Sequence, residues 1–392
     1  MKKVSIFGST GSIGQNTIKI LRNIKDKESF KIICLTAKNN VTKLAQDALE
    51  FEADYAIIEN NEKYNELKKL LSGHKTEALS GYDKIIEMAQ MDVCWSMSAI
   101  IGYAGLRPTL EIAKKNNTLA LANKESFVCA GELLNKTTKL SKCCLIPVDS
   151  EHSAIFQCIQ GENKNEIKKI FLTASGGPFR KWTLKMMEKA SLSQALCHPN
   201  WSMGLKISID SATMFNKALE LIEAKYLFDL DYKKLDVYVH PESVIHSIVT
   251  FKDESSLAQM SVPDMCGAIG YSYNYPNRKT LPLRKLNLSK IGKLTFEKPN
   301  KKKFPALEIA SFVLKSGGIW GTILNAAKEI AVEKFIKGDI DFLEITSLVD
   351  KTLNSREIST ISSLKSDNLD NIIEVDSYVR IITDNLSIKK GK

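Results

Sequence analysis

The feature that most constrains the fold is the alternation of strand-like and helix-like segments through residues 1–149. Short β-branched runs recur at residues 4–7, 31–36, 55–58, 93–97, 118–121 and 144–148, and amphipathic stretches separate them. Strand, helix, strand repeated in this way predicts a parallel sheet with helices on both faces. We therefore expect an α/β chain whose first domain covers residues 1–149.

The pattern changes after Asp149. A helix near 154–160, a strand near 169–174, a long helix over 212–228 and strands at 236–240 and 244–251 predict an α+β domain over residues 150–274. Residues 275–303 are rich in Pro, Asn and Lys, which indicates a linker. Helical periodicity in the last segment, 304–392, predicts a C-terminal helical bundle.

The composition excludes several classes of protein. The chain has no apolar run of the ~18 residues that a membrane helix needs, and no nucleic-acid-binding motif accompanies its net charge of +10. That charge is better explained by a solvated surface and phosphorylated small-molecule ligands. Eight scattered cysteines form no Cys-x-x-Cys pair, so we expect buried, reduced thiols. Without a signal-like start we expect a cytoplasmic protein, or an organellar one had a targeting segment been removed.

A glycine-rich turn follows the first predicted strand and opens a helix. Gly8, Gly11 and Gly14 have the spacing Gly-x-x-Gly-x-x-Gly, rarer than Gly-x-Gly-x-x-Gly, so the spacing alone is weak evidence. Its place at the first strand-to-helix turn favours a dinucleotide site, because backbone N–H groups there can approach a pyrophosphate. The first domain is therefore expected to be Rossmann-like.

The end of the second strand decides between the two nicotinamide cofactors. NAD sites usually place Asp or Glu there, bonded to the ribose 2′-hydroxyl. Here Lys38, Asn39 and Asn40 follow Ala37. A cation and two amides can bind a 2′-phosphate, so the sequence favours NADPH.

Charged and polar side chains at a strand end and on one long helix are candidates to bind a metal ion and an anion. Asp149 and Glu151 leave a strand end, and with Glu220 they would form an all-oxygen site suited to magnesium or manganese. Asn216 and Lys217 share a helix face with Glu220, and Asp210 and Ser211 are candidates to cap that helix and bind an anion. Ordinary helix capping, or a structural Lys217–Glu220 ion pair, remains the alternative.

The segment from His198 to Gly204 contains Pro, Trp and Gly and lacks periodicity. Such a loop is typical of a lid that closes over a ligand. A tryptophan that anchors the loop to the core is an equally good interpretation.

Six motifs together carry a resemblance to a known family. They are Gly-Ser-Thr-Gly-Ser-Ile-Gly, Leu-Ala-Asn-Lys-Glu-Ser, Pro-Val-Asp-Ser-Glu-His, Ser-Gly-Gly-Pro-Phe-Arg, His-Pro-Asn-Trp-Ser-Met-Gly and Asp-Ser-Ala-Thr-Met-Phe-Asn-Lys-Ala-Leu-Glu. In this order they resemble the deoxyxylulose phosphate reductoisomerase family. The similarity runs from Val4 to at least residues 325–327.

The resemblance implies a homodimer of subunits with NADPH-binding, catalytic and helical domains. It implies the rearrangement of 1-deoxy-D-xylulose 5-phosphate and its NADPH-dependent reduction to 2-C-methyl-D-erythritol 4-phosphate. The implied metal ligands are Asp149, Glu151 and Glu220. The residues implied around the substrate are Lys124 and Ser150, and around its phosphate Ser175, His198, Ser211, Asn216 and Lys217. The implied cofactor contacts are Thr10, Gly11, Ser12, Ile13, Lys38, Asn39, Asn40, Asn123, Glu125 and Gly204, and the implied lid residues are Trp201 and Met203.

The sequence departs from the family pattern at two positions, and two other functions are alternatives to the one that the resemblance implies. Family members often have Gly where Lys38 stands, which bears on the binding of the 2′-phosphate, and Gly in place of Ala174, which is a minor change.

One rival function is a metal-free NADP-dependent dehydrogenase with Lys124 as the general acid. The other is a non-catalytic NADPH-sensing module, which would leave the candidate metal ligands unexplained.

Overall fold

The structure is a computed structural model that describes residues 1–115, 117–201 and 203–386. Eleven strands and eighteen α-helices are assigned within these residues. They divide into two compact units. The first unit comprises Met1–Ser126, Leu134–Ser153 and Asp264–Lys285, and the second comprises Phe127–Leu133, Ala154–Pro263 and the chain from Leu286 onward.

The first unit is built on a seven-stranded parallel sheet. Its strands are β1 (Lys2–Phe7), β2 (Phe30–Ala37), β3 (Tyr55–Ile58), β4 (Glu77–Ser80), β5 (Trp95–Ser98), β6 (Thr118–Leu121) and β7 (Cys144–Pro147). Their order is β4-β3-β2-β1-β5-β6-β7. The chain therefore adds β2, β3 and β4 on one side of β1 and then crosses back to place β5, β6 and β7 on the other side. This reversal creates a topological switch point, where α/β sheets bind ligands.

Helices fill the connections between these strands. They are α1 (Ser12–Arg22), α2 (Val41–Glu50), α3 (Tyr64–Leu70), α4 (Tyr82–Ala89), α5 (Leu106–Ala113) and α6 (Lys124–Ser141). The apolar faces of α1 and α2 bury Ile18, Leu21 and Leu44 against Val4 and Ile6 of β1. The prediction of a helix-covered parallel sheet is confirmed. The predicted set of strands omitted only β4, a short edge strand whose side chains are at most half-buried.

The second unit contains a four-stranded mixed sheet. Its strands are β8 (Ile167–Ala174), β9 (Leu235–Val239), β10 (Ile245–Phe251) and β11 (Ser256–Met260), in the order β11-β10-β8-β9. Strands β8 and β9 are parallel, whereas β10 is antiparallel to both β8 and β11. The predicted α+β architecture is confirmed. The edge strand β11 had not been predicted, because three of its five side chains are exposed and it has no buried alternation.

The remaining helices follow in chain order. They are α7 (Ser150–Cys158), α8 (Leu184–Met187), α9 (Leu192–Leu196), α10 (Leu205–Ala212), α11 (Phe215–Phe228), α12 (Cys266–Asn274), α13 (Leu288–Ile291), α14 (Ala306–Ser316), α15 (Trp320–Lys337), α16 (Phe342–Leu353), α17 (Arg356–Ile361) and α18 (Leu369–Asn385). The long helix α15 packs against α16 and α18, and α14 packs against α11. C-terminal helices are therefore present as predicted, but they share one compact unit with the mixed sheet.

The compact units place residues 127–133 in the second unit and residues 150–153 in the first, and they differ most from the predicted boundaries at residues 264–285. These residues had been assigned to the catalytic domain and the linker, yet α12 packs on α1 of the first unit. Trp95 holds this segment in the first unit, because its indole N–H donates to Ser272 O at 3.2 Å and its ring packs edge to face against Tyr273. A further division of the second unit into catalytic and helical domains stays a prediction.

Two smaller properties complete the fold. All eight cysteines are free thiols, but Cys94, Cys144 and Cys197 are exposed, so the expectation that all are buried was wrong for these three. Among the described helices, none is both long and apolar enough to cross a membrane.

Candidate active site

The glycine-rich turn lies between β1 and α1 at the switch point of the first sheet. Gly8 has φ +88°, and a Cβ there would lie 2.7 Å from Ala99 O. A Cβ on Gly14 would lie 2.3 Å from Gly8 O. Gly11 precedes α1 without a capping side chain among the described residues, so the first N–H groups of α1 are available to a phosphate.

The turn is tied to the end of β2. Gly8 N donates to Thr36 Oγ1 at 2.9 Å, and Ser9 N donates to Thr36 O at 2.8 Å. The predicted cofactor residues Thr10 to Ile13 and Lys38 to Asn40 are thereby brought to one edge of the sheet. Asn40 caps α2 by accepting from Lys43 N.

An acid that the sequence analysis overlooked stands beside Lys38. Glu59 follows β3, and its Oε1 lies 3.3 Å from Lys38 Nζ. The sequence had shown no acid at the end of β2, but a parallel neighbour strand supplies one. Glu59 was detectable as the first residue after the third predicted strand.

Asn123, Lys124 and Glu125 lie where β6 turns into α6. Asn123 is buried, and its amide nitrogen donates to Ile100 O (2.6 Å), Gly102 O (2.9 Å) and Glu125 Oε2 (3.1 Å). Its Oδ1 accepts from Ser126 N and so caps α6. Asn123 therefore ties the loop after β5 to the start of α6 at the carboxyl edge of the sheet.

Asp149 forms an ion pair with Lys124 at 2.5 Å. Burial by itself would raise the pKa of Asp149, but the Lys124 ammonium and the adjacent His152 hold that pKa well below its usual range. Asp149 is therefore ionised near neutral pH. Because its partner is a lysine of the same unit, one anionic oxygen is already balanced by a cation.

Glu151 lies in the first turn of α7, which begins at Ser150. The expectation that Asp149 and Glu151 both leave an extended strand was therefore wrong for Glu151. Asp149 O accepts from Ser153 N at 2.8 Å, so the helix starts directly after Asp149. The Ser150 hydroxyl donates to Glu151 and orients its carboxylate.

In the second unit, the turn after β8 approaches the end of α10. Gly176 and Gly177 have φ +85° and +65°, and a Cβ on Gly177 would lie 2.8 Å from Ser211 O. Gly177 N donates to Ser175 Oγ at 3.1 Å. The glycines thus bring the predicted phosphate residues Ser175 and Ser211 to the same place.

His198 joins this group through its ring. Its Nδ1 accepts from Asn200 N (3.2 Å) and Trp201 N (2.9 Å), which leaves the proton on Nε2 of the neutral ring. Nε2 lies 2.7 Å from Ser175 Oγ. The loop conformation therefore presents an N–H donor next to the Ser175 hydroxyl.

Helix α11 carries Asn216, Lys217 and Glu220 on one face, as the spacing predicted. Both Asn216 and Lys217 donate to the Glu220 carboxylate, which is fully buried together with the Lys217 side chain. The structural ion pair that the sequence left open is therefore present. It does not exclude a ligand role for Glu220.

The predicted caps of this helix were wrong. Asp210 and Ser211 belong to α10, and α11 starts after Met214, whose φ is +66°. Asp210 instead forms a buried ion pair with Lys328 of α15 at 2.9 Å. Sequence reasoning missed Lys328 altogether, because α15 carries three lysines and the sequence does not show which of them has a buried partner.

The lid residues lie in the loop between α9 and α10. Asn200 anchors this loop by donating to Pro241 O (2.6 Å) and Ser243 Oγ (2.8 Å). Trp201 is half-buried with its ring 6.3 Å from that of His246, and Gly204 precedes α10. Ser202 lies outside the described residues. The lid roles of Trp201 and Met203, and the cofactor contact of Gly204, stay predictions.

The residues present fit the groups that the sequence implied. Side-chain oxygens of Asp149, Glu151 and Glu220 are the donors that magnesium and manganese take. At Gly8 and Gly14 the backbone approaches too closely for any Cβ, as a pyrophosphate-binding turn requires. A sheet of this topology with such a turn is typical of dinucleotide-dependent oxidoreductases that have a Rossmann-like first domain.

Comparison with known proteins narrows this class to one family. The family model of 1-deoxy-D-xylulose 5-phosphate reductoisomerase matches residues 4–131, and models of its C-terminal domains match residues 145–228 and 260–382. The chain belongs to the 1-deoxy-D-xylulose 5-phosphate reductoisomerase family.

Relatives match over nearly the full length. A 1-deoxy-D-xylulose 5-phosphate reductoisomerase of Ruegeria sp. (strain TM1040) is 44% identical and covers 98% of this chain and 97% of its own. The enzyme from Zymomonas mobilis in complex with NADPH is 42% identical, covers 98% of both chains and superposes with a TM-score of 0.90. A reductoisomerase structure with NADPH, fosmidomycin and magnesium is 39% identical, covers 98% of this chain and 97% of its own, and has a TM-score of 0.94.

Proposed function

We propose that this protein converts 1-deoxy-D-xylulose 5-phosphate to 2-C-methyl-D-erythritol 4-phosphate, in a reaction that depends on NADPH and a divalent metal ion. The observation that carries the proposal is family membership across almost the whole chain. A solved relative contains both NADPH and magnesium. That relative disfavours a metal-free dehydrogenase, and the close Lys124–Asp149 ion pair makes Lys124 a poor general acid.

Phosphate recognition falls to residues of the second unit. The proposed set is Ser175, His198, Ser211, Asn216 and Lys217. Support comes from the Ser175–His198 contact of 2.7 Å and from the approach of the Gly177 turn to Ser211. Hydroxyl, amide, imidazole N–H and ammonium groups all donate to phosphate oxygens. Binding energy from the phosphate, far from the reacting carbons, can then orient those carbons.

The proposed metal ligands are Asp149, Glu151 and Glu220. A divalent ion acts as a Lewis acid that polarises the substrate ketone for rearrangement and for reduction. The chain keeps Asp149 ionised through Lys124 and His152, and it orients Glu151 through Ser150. Lys124 and Ser150 are also the proposed contacts to the substrate itself.

The proposed NADPH contacts lie mainly in the first unit. They are Thr10, Gly11, Ser12 and Ile13 at the pyrophosphate, Lys38, Asn39 and Asn40 at the 2′-phosphate, and Asn123, Glu125 and Gly204. NADPH supplies the hydride. Trp201 and Met203 would close over the substrate and exclude water. We further propose a homodimer in the cytoplasm, as the family resemblance and the bacterial relatives suggest.

The test is an assay on the purified protein. With 1-deoxy-D-xylulose 5-phosphate, NADPH and magnesium, we expect loss of NADPH absorbance and formation of 2-C-methyl-D-erythritol 4-phosphate, identified by mass spectrometry. A chelator should abolish turnover, and added magnesium or manganese should restore it. Turnover that persists in chelator would favour the metal-free dehydrogenase, and no turnover at all would favour the sensing module.

A further inference from the structure

The cation at the end of β2 is paired with an acid from the neighbouring strand. In the parallel pairing of β2 with β3, Ala37 lies opposite Ile58. The ladder continues past both strands, because Glu59 N donates to Ala37 O at 2.8 Å and Asn60 N donates to Lys38 O at 3.1 Å. The backbone thus fixes Glu59 beside Lys38, and their charged ends lie 3.3 Å apart.

The two side chains differ in exposure. The Lys38 side chain is 69% exposed, whereas that of Glu59 is 23% exposed. An ion pair with so exposed a partner contributes little to stability. The Lys38 ammonium can therefore exchange Glu59 for another anion at small cost, while the shorter Glu59 side chain stays next to the ladder that holds it.

The same region carries the donors assigned to the 2′-phosphate. Asn60 Nδ2 donates to Asn39 Oδ1 at 3.1 Å, and Asn40 is engaged as the cap of α2. Among the three residues proposed for the 2′-phosphate, Lys38 carries the positive charge, and Glu59 offsets it. Sites selective for NAD use an acid at the end of the second strand for the ribose hydroxyls. Here an acid reaches that region from the third strand.

We propose that Glu59 is a specificity-determining residue that limits the preference of this site for a 2′-phosphate. It does so by neutralising Lys38 and by repelling a phosphate group that carries nearly two negative charges near neutral pH. The inference rests on the NADPH site of the proposed function. If Glu59 instead holds Lys38 in place for the phosphate, removing the Glu59 charge should weaken NADPH binding rather than strengthen it.

The test is Glu59→Gln, which removes the charge at nearly constant volume. Dissociation constants of NADPH and NADH are measured by nicotinamide fluorescence on the whole protein without substrate. We expect NADPH to bind about three- to tenfold more tightly, and NADH to change less than twofold. Added salt should weaken NADPH binding more in the variant, because the net attraction of the subsite has grown.

A matched control is Glu87→Gln on α4. Glu87 also pairs with a surface lysine, Lys84, at 2.6 Å. It lies in the last turn of a helix that runs away from the carboxyl edge of the sheet, so the same change in net charge should leave both dissociation constants unaltered.

Three results would overturn the inference: unchanged NADPH affinity in Glu59→Gln, weaker NADPH affinity, or equal tightening for NADPH and NADH. Weaker affinity would assign Glu59 to the positioning of Lys38. Failure of the wild-type protein to bind NADPH would contradict the proposed function instead, so the two failures can be told apart.

Discussion

Replacing Glu220 by glutamine separates its structural contribution from a role at the metal. Glu220 is 0% exposed and Lys217 is 3% exposed, and their ion pair lies on one face of α11. Removing one partner of a buried ion pair typically costs about 3–5 kcal/mol. Glutamine keeps the volume and one acceptor oxygen, so we expect the lower end, about 3 kcal/mol. A unit of this size then melts about 6–12 °C lower.

The double variant Glu220→Gln/Lys217→Met distinguishes the two effects. Replacing both charges by groups of similar volume is often neutral for stability, so the melting temperature should recover most of the loss. Catalytic activity should not recover, because a carboxylate ligand and a phosphate donor are both missing. Asp376→Asn is the control: Asp376 is a buried partner of Arg380 without a proposed catalytic role. It should lower stability and leave the magnesium requirement unchanged.

The assays are thermal unfolding and turnover as a function of magnesium concentration, at a temperature where every variant is folded. Glu220→Gln should need at least tenfold more magnesium, because hard divalent ions prefer carboxylate oxygens. An unaltered magnesium requirement would refute the ligand role. An unaltered melting temperature would refute the claim that loss of one partner of the Lys217–Glu220 ion pair destabilises the fold.

Three further outcomes follow from the geometry. Ser211→Ala should weaken a phosphonate inhibitor that carries a hydroxamate by about ten- to a hundredfold, the worth of one hydrogen bond to a charged group; unchanged inhibition constants would remove Ser211 from the pocket. Gly177→Ala should raise KM for the phosphorylated substrate more than it lowers kcat, because a Cβ at φ +65° would lie 2.8 Å from Ser211 O; steady-state kinetics check this. In the native protein at pH 8, a thiol reagent should modify the exposed Cys94 and Cys197 first and Cys144, whose pKa burial raises, more slowly. Cys143, Cys158 and Cys266 should react last, since burial raises their pKa to about 11; mass spectrometry of the labelled peptides checks this order.

The sequence predicted what depends on local pattern. The glycine turn after β1 follows from its spacing together with its place between a predicted strand and a predicted helix. The shared face of Asn216, Lys217 and Glu220 follows from spacing alone. Strands β4 and β11 were not predicted because both are short edge strands whose side chains are exposed or half-buried, so they lack a buried alternation. The predicted single helix over 212–228 hid a break at Met214, which no glycine or proline marks. Helix α12 was assigned to the wrong neighbours, since its contacts with α1 are tertiary.

The candidate phosphate pocket shows why contacts between residues far apart in the chain cannot be predicted from local sequence. Ser211 was recognisable from its motif, but its position depends on Asp210, whose partner Lys328 lies 118 residues further along the chain. A buried ion pair adds little net stability, since desolvation offsets the attraction. It nevertheless tolerates few geometries, because both charges must stay satisfied away from water. Within the second unit this pair therefore fixes the end of α10 against α15, and with it the next residue, Ser211. The identity of a binding residue can be read locally, whereas the force that positions it comes from a helix whose sequence gives no sign of that contact.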